Sequence, residues 1–170
     1  DITDPSHVRA ALGGEPAWRA LSAQLAAAGL GLLADFVPNH VALHDNPWWT
    51  DVLTFGRGSP YFGYFDLRVD PADARPTLIL PVLAEPYGTE LEAGRLQLVV
   101  EDEVVRLAYG SQRFPLAPDS LAARLPDTPD GPTALVARLN ADREALHVLL
   151  EAQHYRLTWW RVARDASPYR

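Results

Sequence analysis

The sequence contains no cysteine. Disulfides, thiolate zinc sites and a cysteine nucleophile are therefore excluded. It contains no lysine either, because all 15 basic residues are arginine. That removes a Schiff-base lysine from consideration. The bias toward arginine, with abundant alanine, leucine, glycine and proline, fits a GC-rich genome better than a functional demand. No apolar run approaches the roughly 20 residues that a membrane-spanning helix needs. The chain opens on Asp1-Ile2-Thr3-Asp4 rather than on a basic stretch leading into an apolar one, so no signal peptide is read there. It also lacks an initiating methionine, which suggests residues upstream. A cytoplasmic location is expected, with no membrane partner. Positive charge is scarce: 22 acidic against 15 basic residues give a net charge of −7. That balance argues against a nucleic-acid backbone as a partner.

The chain does have enough apolar material to fold. Its 170 residues are 48% hydrophobic, sufficient for a domain with a core. Residues 15–28 read as an amphipathic helix, with Trp18, Leu21, Leu25 and Ala28 on one face. Gly29 ends it, as a residue just past a helix C-terminus does. Leu30 to Val37 is apolar except for Asp35, the pattern of a parallel strand buried on both faces. Helix, glycine and buried strand form the second half of a βαβ unit.

Beyond His40 the pattern becomes irregular. Pro47 to Phe55 reads as a short helix with Asn46 as N-cap, and Pro86 to Ala93 as another, stopped by Gly94. Leu96, Leu98 and Val100 alternate with polar neighbours, as do Val105 and Leu107 after a Glu-Asp-Glu turn, which predicts a β-hairpin. Residues 115–132 read as loop plus one helical turn. Ala141 to Gln153 reads as a helix with Leu146, Leu149 and Leu150 inward. No internal repeat is visible.

The segment that carries chemistry is Ala34-Asp35-Phe36-Val37-Pro38-Asn39-His40. A strand ends there, and an Asp, an Asn and a His follow within six residues. In a (β/α)₈ barrel, active-site groups sit at the C-terminal ends of strands. Asp35 and Val37 share one side of the strand. Pro38 withholds a ladder donor and turns the chain outward, leaving Asn39 and His40 at the rim. Each residue alone has a plainer reading: Asp35 as a cap or a partner for arginine, Asn39 as turn chemistry, His40 as a structural histidine.

The string as a whole resembles the first signature region of the α-amylase family, Asp-x-Val-Pro-Asn-His, with every fixed position present. The resemblance implies that His40 hydrogen-bonds the sugar ring where bonds break and that Asp35 supports the site from below. Asn39 corresponds to a calcium ligand in many amylases. Calcium takes roughly six to eight oxygen ligands, and no such set can be assembled here, so Asn39 is assigned a supporting role. No metal or cofactor is expected.

Longer stretches resemble the trehalose-forming branch of that family. They include Asp1-Ile2-Thr3-Asp4-Pro5, Leu12-Gly13-Gly14-Glu15, Asp45 through Leu53, Ser59-Pro60-Tyr61 and Phe65-Asp66. Leu80-Pro81-Val82-Leu83, Pro86-Tyr87-Gly88, Arg113-Phe114-Pro115-Leu116 and Gln153-His154-Tyr155-Arg156-Leu157 continue the match in order. Through it Tyr155 and Arg161 join His40, Asp35 and Asn39 as candidate substrate-binding residues. The final stretch, Asp165-Ala166-Ser167-Pro168-Tyr169-Arg170, departs from the family's acidic, Ile-Asn and Tyr-Arg-Arg pattern, so contacts of that loop do not carry over.

The implied fold is α/β: part of a (β/α)₈ barrel with a long α+β insertion after the third strand. Residues 1–40 would be barrel, 41–140 the insertion, and 141–170 a helix returning toward the barrel. The implied reaction is a retaining, intramolecular transglucosylation, in which the reducing-end α-1,4 bond of a malto-oligosaccharide becomes an α,α-1,1 trehalose linkage. Such chemistry needs a nucleophilic and an acid–base carboxylate about 5 Å apart. Neither signature occurs here, so no catalytic residue is assigned. The chain is expected to need the rest of its parent barrel and to be inactive alone. Two other functions compete: an amylase-type hydrolase, and a non-catalytic module binding malto-oligosaccharide through tryptophans. Trp48, Trp49, Trp159 and Trp160 suit either sugar platforms or a core, and sequence does not choose.

Overall fold

The structure, a computed structural model, describes residues 2–35, 40–67, 77–123 and 131–161. Internal contacts divide the chain into two compact units, Asp1–Pro47 and Trp48–Arg170.

In the first unit, a 3₁₀ turn at Ala10–Leu12 leads into helix α1, Gly14–Ala27. Its end matches the sequence. Gly29 adopts φ 69°, the left-handed conformation that glycine tolerates. The Gly29 N–H donates to the Ala26 carbonyl at 3.1 Å and the Leu30 N–H to the Leu25 carbonyl at 2.9 Å, the paired bonds of a Schellman ending.

The expected strand after it is not formed among the described residues. Leu30 to Asp35 carries no ladder, and Leu33 is 99% exposed. A parallel strand exists only by pairing with neighbours under covering helices, and the described part of this unit supplies no strand to pair with. Phe36 and Val37 lie outside the described residues. For the same reason the apolar face of α1 is not buried: Trp18 is 40% exposed and Leu21 46%.

The second unit has its own core. Helix α2 spans Pro47–Phe55, as read from sequence. Strand β1, Leu78–Leu83, buries Leu78, Leu80 and Leu83 and exposes Ile79. It pairs in parallel with β5, Tyr155–Trp159. The register breaks between Leu80 and Leu83, where Pro81 has no N–H to offer the ladder.

Between these two strands the chain forms helix α3, Tyr87–Glu92, and a three-stranded antiparallel meander. The meander is β2, Leu96–Glu101, β3, Val104–Tyr109, and β4, Gln112–Pro115. The two residues between β2 and β3, Asp102 and Glu103, have φ 50° and 63°, the left-handed pair of a tight hairpin turn. Helices α4, Pro118–Ala122, α5, Gly131–Ala141, and α6, Arg143–Glu151, complete the unit.

The helix expected at 141–153 is α6, two residues shorter at each end, and α5 before it was not foreseen. The Asp142 carboxylate accepts from the Ala145 N–H at 3.0 Å and starts α6. Leu146, Leu149 and Leu150 are buried as expected, alongside Leu83, Leu96, Leu98, Leu107 and Leu135.

Three polar side chains in this unit have their partners. Asn140 pairs with both backbone groups of Leu98, accepting from its N–H and donating to its carbonyl at 2.8 Å each, which joins α5 to β2. Gln153 accepts from the Ala117 N–H at 2.7 Å and donates to the Ser120 hydroxyl at 3.0 Å. Glu90 is fully buried and accepts from Arg95 Nε, from the Tyr109 hydroxyl at 3.0 Å and from the Glu85 N–H at 2.9 Å. Its carboxyl is pushed up by burial but drawn further down by those donors, and lies below the ordinary value.

Candidate functional site

Asp35 and His40 flank the end of the expected strand, and both are exposed. Asn39 falls outside the described residues. The segment after His40 is held by a contact that local sequence does not announce. The Ala42 N–H donates to the Ile2 carbonyl at 2.7 Å. Asn46, fully buried, donates from Nδ2 to the Thr3 carbonyl and to the Ala42 carbonyl, each at 3.0 Å. Asn46 thus ties the opening residues, 43 positions away, to the stretch that follows the histidine. Sequence reading assigned it only to the start of α2; a side-chain bond across that separation leaves no local signal.

Close to the same opening, Ser6, His7 and Asp4 form a tight exposed cluster. The Ser6 hydroxyl donates to Asp4 at 2.6 Å, and His7 Nδ1 lies 2.8 Å from both the serine oxygen and the aspartate. The Ser6 hydroxyl, then its N–H, and then His7 hold the Asp4 carboxyl below its usual range. A nucleophilic triad needs serine and acid on opposite ring nitrogens. Here both meet Nδ1, so the cluster is a turn and not a hydrolytic centre.

The remaining candidates lie in the second unit. Tyr155 belongs to the core: it is 2% exposed, its hydroxyl donates to the Pro115 carbonyl at 2.8 Å, and burial pushes the phenol well up. Through that bond the residue fixes β5 against β4. Arg161 is exposed, with its guanidinium 5.2 Å from the Trp159 ring centroid and 5.4 Å from that of Trp160. Trp159 Nε1 donates to the Ala84 carbonyl at 2.9 Å, which anchors the stack to the end of β1.

A cavity of about 200 Å³ opens beside β5, lined by Tyr87, Leu107, Leu150, Glu151, Tyr155, Arg156, Leu157 and Thr158. The Tyr87 hydroxyl sits 3.0 Å from His147 Nδ1. Its phenol is pushed up to about 12, chiefly by burial and then by the charge of Glu151. The Thr158 hydroxyl is buried and makes no hydrogen bond. Ligand pockets usually run from about 300 to 1,000 Å³. This mostly apolar hole is smaller than a saccharide chain would need. Glu90 is committed to its three donors and is not free to protonate a leaving group.

No family model matches the sequence. Solved structures sharing this mixed α/β fold are synthases of glycosylated trehalose. One, a maltooligosyl trehalose synthase, superimposes with a TM-score of 0.69 at 31% identity, covering 94% of this chain and 19% of that one. Another, a mutant of the enzyme from Arthrobacter ramosus, gives 0.65 at 34%, covering 96% and 18%. In sequence, a protein of Mycobacterium tuberculosis named as a maltooligosyl trehalose synthase is 36% identical over 164 residues, 95% of this chain. The chain spans 17% of the length of that relative. Over nearly all of its length the chain is similar to one segment of that relative.

Proposed function

We propose that this chain serves a longer enzyme that converts malto-oligosaccharides into their trehalose-ended isomers. The observation that carries this reading is continuous similarity along 95% of the chain, at 36% identity, to a protein named for that activity. A generic amylase would be expected to match around Asp35 to His40 alone. In the proposed reaction the reducing-end α-1,4 bond is cut, and the freed glucose turns within a closed pocket. It is then rejoined through its anomeric oxygen, giving an α,α-1,1 bond. Excluding water favours this outcome over hydrolysis.

On this reading, residues 1–40 are part of a (β/α)₈ barrel, 41–140 an α+β insertion, and 141–170 the return. His40 holds the sugar ring, Asp35 and Asn39 support it, and Arg161, stacked on its tryptophans, offers a cation to sugar hydroxyls. Tyr155 acts by positioning β5. The nucleophile and the acid belong to parts of the barrel beyond these residues, and the compartment is the cytoplasm.

A reducing-end assay on the full-length protein with maltopentaose tests the reaction. Reducing ends fall if a trehalose linkage forms and rise if the enzyme hydrolyses. His40→Ala should lower kcat/KM by roughly tenfold to a hundredfold, the loss of one strong substrate hydrogen bond. Conversion of maltopentaose by the 170-residue chain alone would overturn the assignment of the carboxylates elsewhere.

A further inference from the structure

Two tryptophans adjacent in sequence go to different places. Trp49 packs against the core, with its ring 5.0 Å from that of Phe65. Trp48 lies outside that core. Its ring is 6.2 Å from Tyr61 at an interplanar angle of 28°, and 5.4 Å from Tyr64 at 80°. Tyr61 and Tyr64 meet each other at 5.4 Å and 73°. Tyr64 is 64% exposed, so its ring contributes little to folding.

The cluster is nonetheless held firmly. Trp48 stands on the first turn of α2, and the turns that carry the tyrosines are pinned back to the same helix. The Ser59 hydroxyl donates to Asp51 of α2, and the Tyr61 N–H donates to the Ser59 oxygen at 3.1 Å. The Tyr64 N–H donates to the Tyr61 carbonyl at 2.9 Å. A fixed aromatic cluster loses little conformational freedom when a ligand lands on it.

We propose that Trp48, Tyr61 and Tyr64 form a stacking surface for chains of α-1,4-linked glucose, additional to the residues of the α-amylase signature. This rests on the malto-oligosaccharide reading above. Tyr64 is exposed, while Trp48 and Tyr61 are half-buried and Tyr61 also packs against the core, so the cluster offers one open ring, the edges of two more and two uncharged hydroxyls, neither held by a hydrogen bond among the described residues. That combination suits an uncharged polyol with apolar C–H faces and offers no countercharge to an ionic ligand. The rings are not coplanar. A bent surface follows an α-1,4 glucan, whose chain curves, and fits poorly to the flat ribbon of a β-1,4 glucan.

Calorimetric titration of the full chain with maltoheptaose tests the proposal, after a cooperative melt has verified folding of each variant. Tyr64→Ala and Trp48→Ala should each weaken binding by about threefold to tenfold, the range of one aromatic contact. Trp48→Phe should retain most of the affinity, and cellohexaose should bind more weakly than maltoheptaose. Val148→Ala, which trims a residue 50% exposed on α6, should change nothing. Alanine variants that bind like the folded parent would overturn the surface and leave the proposed reaction intact. An equal loss in Val148→Ala, or no maltoheptaose binding by the folded parent, would overturn it too. If maltoheptaose binding depends on Trp48 while the longer protein forms no trehalose linkage, the surface stands and the reaction falls.

Discussion

The two units divide the work unevenly. Asp1–Pro47 carries the string that resembles a sugar site, yet among the described residues every buried hydrophobic lies at Val52 or beyond. In the first unit Leu12, Leu30, Leu32 and Leu33 face outward. In the second, leucines from α5, α6 and the strands close on one another. The second unit holds itself together. The first has its apolar faces ready for surfaces that a chain matching 17% of its relatives' length need not contain.

The largest expected effect tests the self-sufficiency of the second unit. Leu146 is 0% exposed at the centre of the core. Leu146→Ala should cost about 3 kcal/mol in urea unfolding of the full chain, the lost burial plus the cavity left behind. A cost under about 1 kcal/mol, within the range of surface changes, would mean that the leucines do not form a packed core.

Next comes the buried carboxylate. Glu90→Ala strands three donors and should cost about 2–3 kcal/mol. The same residue gives this unit an acid-sensitive part. Because its carboxyl titrates below the ordinary value in the folded state, the unfolded chain takes up the proton first as pH falls. The stability Glu90 contributes is complete above the ordinary carboxylate range and is lost as pH drops through its lower folded value. Urea midpoints between neutral and acid pH should fall less steeply in Glu90→Gln than in the parent. Parallel curves would remove Glu90 as the cause.

Legibility in the sequence follows the range of the interactions involved. The end of α1 at Gly29, the span of α2 and the Asp102-Glu103 hairpin were readable, because glycine, proline and alternation act over a few residues. Strands β1 and β5 were not. Leu78–Leu83 contains Pro81, and its partner lies beyond the whole meander; parallel pairing is invisible until both strands are placed. The short β4, ending in Pro115, was missed for a similar reason. At the candidate site the motif itself was legible. Its support by Asn46 was not, nor was the burial of Tyr155, since both depend on contacts distant in sequence.

A smaller effect isolates the first unit. Asn46→Ala should cost about 1 kcal/mol by removing both Nδ2 hydrogen bonds. The loss should be local, with faster hydrogen exchange at the Ala42 N–H and unchanged protection in β2 and β3. Uniform loss of protection across both units would show that the division at Pro47 is not a boundary in cooperativity.

The smallest expected effect discriminates most sharply between the two units. Leu21 lies on the apolar face of α1 and is 46% exposed. In the 170-residue chain, Leu21→Ala should change stability by no more than about 0.5 kcal/mol, as surface substitutions do. It should even help the helix slightly, since alanine is the better helix former. In the longer protein the proposed barrel would cover this face, and the same substitution would then remove a buried leucine at a cost of about 2–3 kcal/mol. The comparison needs no knowledge of the catalytic carboxylates, only denaturant melts of two proteins with and without one side chain. A near-zero effect in both would mean that α1 remains a solvent-facing helix, and the barrel assignment for residues 1–40 would fail with it.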